Sequence, residues 1–320
     1  MALYGYTIGE DRDGNASNGK QLDVYRFLIP TAPTSLITPT RVGTVNIAGT
    51  VTNADLEGLG TNPITGRVSA VNEPRAGGTP STPPTVIRVD NVDQPFAGTS
   101  VLPTLTSSDL RRFGFDSGAD FGRDYSVSGQ PIVLYNISGN DDSKNGSVGS
   151  SLYKITTATP GVVSLVDSTP TVTERQGTQP TNLGKFADGL AIDNLNPGRT
   201  RALASDFSTA DGDGDQLYKV DLLTGQLSAP IVIRNSAGQP LNVDADSGLA
   251  FTNVTGSYQQ LFALLETGFV YGITGYQDDL NAAGLGLGDG FATATLLGRV
   301  NLPNALSGVV DYEGFTIANH

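Results

Sequence analysis

Between Asn182 and Ile233 the apolar positions fall into four short runs bounded by turn residues, with no run at helical spacing. The first, Gly189 to Asp193, follows an acidic residue and opens on glycine. The second, Arg201 to Asp206, follows the turn signal Asn196-Pro197-Gly198. The third, Gln216 to Asp221, carries the alternation LYKVD, and the fourth starts after Thr224-Gly225. Four runs punctuated in this way predict four consecutive short strands.

The same plan recurs along the chain. An acidic or small residue followed by glycine appears as LEGLG at Gly58, DSGAD at Gly118, DGLAI at Gly189, SGLAF at Gly248 and EGFTI at Gly314, at intervals of 60, 71, 59 and 66 residues. The third run recurs as VYRFLI from Val24, VIRVD from Val86, LYKIT from Leu152, LYKVD from Leu217 and FVYGIT from Phe269. Self-similarity of this kind marks a radial repeat. The fold expected is an all-β β-propeller, one domain over residues 1–320, with five blades of four antiparallel strands and six blades as the alternative count. Gly314 to His320 supplies only a first strand, whereas Leu3 to Asn46 supplies only a second, third and fourth. Both termini are therefore expected to close the last blade, the final strand lying beside Leu3 to Gly9, so that no edge stays open.

Composition narrows the chemistry. The 40 glycines and 18 prolines suit tight turns between strands; Ser108 to Phe113 and Asp278 to Ala283 each have room for a turn of helix. The chain has no cysteine, and its single histidine is His320. That excludes disulfides and argues against zinc and histidine-based catalysis. A net charge of −13 disfavours nucleic acid and favours divalent cations as partners. No stretch approaches the roughly 20 apolar residues of a membrane span, so a soluble monomer without membrane insertion is expected, periplasmic or secreted if a signal segment has been removed. Tyr and Phe in the LYKV and VYRF strands are read as core.

Two acidic clusters remain. Glu57, Asp116, Asp188, Asp246 and Glu313 stand one or two residues before the glycine of each repeat, so all five should converge on the central axis. Crowded carboxylates repel unless a cation or protons intervene. Hard oxygen donors drawn from several repeats suit Ca²⁺, with its six to eight oxygens, better than Mg²⁺. The plainer alternative is that they cap inner strands by accepting hydrogen bonds from backbone amides. The second cluster lies in loops between second and third strands: Asp11, Asp13 and Asn15; Asn140, Asp141, Asp142 and Asn145; and Asp211, Asp213 and Asp215. Carboxylates at every second residue with glycine between them would wrap one Ca²⁺, against the alternative of a solvated turn. Gln216 and Leu222 stand where an EF-hand would need Gly and Glu.

LEGLG around Glu57 and DGLAID around Asp188 resemble segments of the gluconolactonase, paraoxonase and strictosidine-synthase propellers, and DLEGLG resembles the phytase-like esterase propellers. The chain as a whole resembles a cyanobacterial-type calcium-binding β-propeller. The resemblance implies a divalent cation at the mouth of the central channel held by Glu57 and Asp188, with Glu313 as a third ligand. The chain departs from the six-bladed pattern and has no histidine or basic cluster matching a catalytic site of those families. The function expected is a calcium-binding propeller with a binding, sensing or scaffold role. The alternatives are a Ca²⁺-dependent hydrolase, either a phytase-like phosphoesterase or a lactonase, and a glycosidase using two central carboxylates.

Overall fold

A computed structural model describes residues 2–9, 21–46, 54–74, 89–90, 116–140, 149–156, 162–166, 182, 184–207, 214–307, 310–312 and 314–319. Of these, 50% lie in strands and 4% in helix, so the fold is all-β.

In chain order the strands are β1 (Leu3–Ile8), β2 (Gln21–Leu28), β3 (Leu36–Ile37), β4 (Thr40–Asn46), β5 (Ala54–Thr61), β6 (Val68–Pro74) and β7 (Val89–Asp90). Next come β8 (Ser117–Arg123), β9 (Ile132–Asn140), β10 (Gly149–Thr156), β11 (Val163–Leu165), β12 (Gly189–Ile192), β13 (Ala202–Asp206), β14 (Gln216–Lys219) and β15 (Ile231–Arg234). The chain ends with β16 (Ser247–Phe251), β17 (Leu261–Leu265), β18 (Phe269–Thr274), a helix α1 (Gln277–Asn281), β19 (Phe291–Val300) and β20 (Phe315–Asn319). The helical turn expected at Asp278 is thus present; Ser108 to Phe113 lies outside the described residues.

Consecutive strands pair antiparallel in the orders β5-β6-β7, β8-β9-β10-β11, β12-β13-β14-β15 and β16-β17-β18-β19. The C-terminal β20 pairs antiparallel with β1, from Leu3 opposite Asn319 to Thr7 opposite Phe315, and heads the order β20-β1-β2-β4. The chain ends therefore meet in one ladder, as the complementary missing strands required. A parallel ladder between β15 and β19 joins two of these sets into an eight-strand path. Its end strands β12 and β16 return to face each other, giving a nearly closed, barrel-like sheet.

Many strands are buried on both faces. Leu190 and Ile192 of β12 enter one apolar cluster with Val133, Tyr135 and Ala202, while Ala191 between them enters another with Leu203, Leu249 and Phe251. In β17, Leu261, Ala263 and Leu265 face that second cluster, and Phe262 and Leu264 face a third with Phe27, Val270 and Phe315. Two further clusters join β1, β2 and β20 to β5 and β6, and β6 to β8–β11. The period-two alternation of a strand thus distributes one sequence between two cores. Phe27 and Phe315 stack at 6.0 Å between centroids, each burial contributing about 2–3 kcal/mol. The third-run aromatics Tyr25, Phe27, Tyr153 and Tyr218 are all core.

The recurring glycines mark close approaches between first strands. A Cβ on Gly58 would come 2.8 Å from that of Ala119 in β8, and one on Gly118 would come 2.5 Å from Asp188 O and Leu190 N. One on Gly189 would reach the Leu249 Cβ at 3.1 Å, and one on Gly314 would overlap the carbonyl of Glu57. β5, β8 and β12 therefore each pack backbone against the next first strand, and β20 packs against β5.

Candidate functional site

The acidic residues ahead of those glycines reach forward to the neighbouring first strand. Glu57 Oε2 accepts a hydrogen bond from Ser117 N at 3.0 Å, and Asp188 Oδ2 accepts one from Ser247 N at 3.3 Å. Ser117 follows Asp116 and Ser247 follows Asp246, so each bond crosses from one repeat to the equivalent point of the next. Asp116 sits at φ +35°, and its carbonyl accepts from Gly139 N at 3.1 Å, while the Asp246 carbonyl accepts from Glu266 N at 2.9 Å. Capping of inner strands, the plainer of the two readings, describes these carboxylate bonds of Glu57 and Asp188.

Asp188 has capacity beyond its cap. It is 3% exposed, and its Oδ1 has no hydrogen-bond partner. Burial pushes its pKa well above the ordinary carboxylate value, and the charges of Asp246 and Asp206 push the same way. Asp206 ends β13, whose Ser205 lies opposite Gly189, so strand pairing draws it to this end of the molecule. Asp215, also buried, accepts from Val243 N through both oxygens, at 3.1 and 3.2 Å. Its pKa rises to about 7, chiefly through burial and further through Asp206, against the lowering effect of the Val243 amide. The last aspartate of DGDGD is thus a turn anchor. Asp11, Asp13, Asn15, Asp141, Asp142, Asp211, Asp213 and Glu313 lie outside the described residues.

Three acids that the sequence reading did not select are at least as tightly built. Asp120, inside β8, accepts from Ile192 N at 2.7 Å and Phe121 N at 2.8 Å, with the Thr61 amide also bonded to it. Burial outweighs those donors and lifts its pKa to about 8. Asp193 is fully buried and paired with Arg201; it also accepts from Asn196 N at 3.0 Å and Gln259 Nε2 at 2.8 Å. This network borders a cleft of about 820 Å³ lined by Asp193, Arg201, Tyr258, Gln259, Tyr276 and Gln277. Asp279 belongs to the only set of three carboxylates among the described residues whose oxygens lie within 4.8 Å of one another, with Asp278 and Asp289. The double acid Asp278-Asp279 was the available signal, but its partner stands ten residues later.

Lys219 belongs to β14, in the alternating LYKVD run. It is fully buried, and its ammonium donates to Ala282 O at 2.8 Å and Gly286 O at 2.9 Å. Burial lowers its pKa, partly offset by Asp279.

No protein-family model matches the chain, and no curated protein does. Among the described residues, no helix is long and apolar enough to cross a membrane.

Proposed function

We propose that the chain is a five-bladed β-propeller that binds Ca²⁺ at the end of its axis where the first strands begin, and that it acts as a binding, sensing or scaffold protein. Five first strands, β5, β8, β12, β16 and β20, each head a set of antiparallel partners, and the close glycine approaches support a closed ring of them. The cation reading rests on the partnerless, buried Oδ1 of Asp188 beside Asp206 and Asp246. A buried anion without a partner costs several kcal/mol, and a divalent cation or a proton would relieve it. Asp188, Asp246, Asp116 and Glu57 are the described residues that would supply oxygens, and Ca²⁺ tolerates such an irregular set.

A cation bound only by the folded chain stabilises it by about 2.7 kcal/mol when free at 100 times its dissociation constant. The melting temperature should therefore rise from chelator to millimolar Ca²⁺, and Asp188→Asn should remove most of the axial share of that rise. An identical response in wild type and Asp188→Asn would leave the first-strand acids as caps alone. Calcium-dependent turnover of a phosphomonoester or a lactone, abolished by chelator, would move the reading to the hydrolase alternative.

A further inference from the structure

The loop from α1 to β19 holds a carboxylate arrangement that backbone capping does not exhaust. Asp279 is 0% exposed. Its Oδ1 accepts from Gly288 N at 2.7 Å and Gly290 N at 2.9 Å. Its Oδ2 is buried and has no hydrogen-bond partner. Asp278 Oδ2 accepts from Asp289 N at 2.9 Å, and Asp289 Oδ1 accepts from Phe291 N at 3.0 Å. The loop amides therefore hold three carboxylates together, with one oxygen of each within 4.8 Å of the others.

Like charges so arranged repel unless a counter-ion or proton intervenes. The cation nearby does not replace a ligand to Oδ2: Lys219 spends hydrogen bonds on the carbonyls of Ala282 and Gly286, fixing the far side of the same loop. Its charge offsets one of three negative charges.

We propose that Asp278, Asp279 and Asp289 form a Ca²⁺ site, with Asp279 as the buried ligand and the two exposed aspartates closing over the ion. An oxygen shell about 2.4 Å from Ca²⁺ spans about 4.8 Å between opposite ligands, so three oxygens all within 4.8 Å of one another can share one such ion. The exposed side leaves room for water to complete six to eight ligands. This site shares no residue with the axial one and stands or falls separately from it.

The test is calcium calorimetry on the full chain, with hydrogen exchange of residues 282–291, in wild type, Asp188→Asn and Asp278→Asn/Asp289→Asn. Both replaced loop residues are exposed, and circular dichroism checks that the double variant stays folded. The expected result is loss of one Ca²⁺ equivalent, or at least tenfold weaker binding at one site, in the loop variant, together with loss of calcium-induced protection of the loop. Asp188→Asn should keep that protection whatever happens to the axial site. Unchanged stoichiometry, affinity and exchange response in the loop variant would overturn the proposal, as would a wild-type chain whose loop protection ignores calcium.

Discussion

Replacing Gly118 by alanine tests the packing of first strands most directly. The new methyl group would lie 2.5 Å from Asp188 O and Leu190 N, about 0.9 Å inside the 3.4 Å where ordinary contact begins. The obstructing atoms are backbone, held by the ladder between β12 and β13 and by the Asp188 N to Ser205 O bond at 3.0 Å. They cannot swing aside as a side chain would. Overpacking of this kind costs about 1–3 kcal/mol, and the rigid obstacle puts Gly118→Ala near the upper end. Alanine also restricts the unfolded chain, which returns about 0.4–1 kcal/mol, leaving a net loss of about 2 kcal/mol. Gly66→Ala is the control: Gly66 has φ +69° with nothing within 4 Å, so only left-handed strain of about 1 kcal/mol is expected. Urea unfolding followed by circular dichroism gives both values from the midpoints at constant slope. If Gly118→Ala unfolds no earlier than Gly66→Ala, the first strands do not pack backbone to backbone, and the recurring glycines have another cause.

Two further predictions concern buried acids. With Asp120 lifted to about 8 and Asp215 to about 7, the folded chain holds protons that the unfolded chain has already lost above about pH 4. Stability in chelator should therefore fall as pH rises from 5 to 7.5, and Asp120→Asn should flatten that slope by about one proton, or ~1.4 kcal/mol per pH unit. Urea midpoints rising with pH over this range would contradict the burial argument; the lowered pKa values of Asp124 and Asp221 act only below about pH 4. Asp193→Ala should cost about 3–5 kcal/mol, because it strands the partly buried Arg201 guanidinium and two amide donors. A loss under about 1 kcal/mol in thermal unfolding would show that Asn281 Oδ1 and Leu280 O, which also accept from Arg201, suffice to hold it.

The strands around Gly189 were legible because their cause is local: apolar runs, Asn-Pro-Gly and Thr-Gly turns, and the acid–glycine repeat. The joining of the ends was legible too, since β20 and β1 each lacked what the other supplied. Less could be read where the partner comes from a distant repeat. Asp120 looks like an interruption in DSGADFG until the Ile192 amide, 72 residues on, meets it. Lys219 reads as the polar face of LYKVD, yet a neighbouring loop covers that face and offers two carbonyls. Asp279 needed Asp289, which the turn through Gly284, at φ +57°, brings back.

The acid–glycine pair carries two roles whose separation depends on the carboxylate having two oxygens. Glycine lets one strand approach the next, and the preceding acid spans the seam to the first amide beyond it. At Asp188 that bond uses Oδ2 and leaves Oδ1 buried among the fields of Asp206 and Asp246. An asparagine there keeps the acceptor for Ser247 N and turns the other atom into an NH₂ donor directed at those anions. In chelator, Asp188→Asn should thus be at least as stable as wild type at neutral pH, because the amide removes the cost of burying or protonating a carboxylate there and the seam is kept. In calcium the order should reverse, since the amide is a weaker ligand than the carboxylate. A residue serving the seam alone would show the first effect without the second, so the crossing of the two stabilities, read as melting temperatures in chelator and in calcium, distinguishes a cap from a cap that is also a ligand.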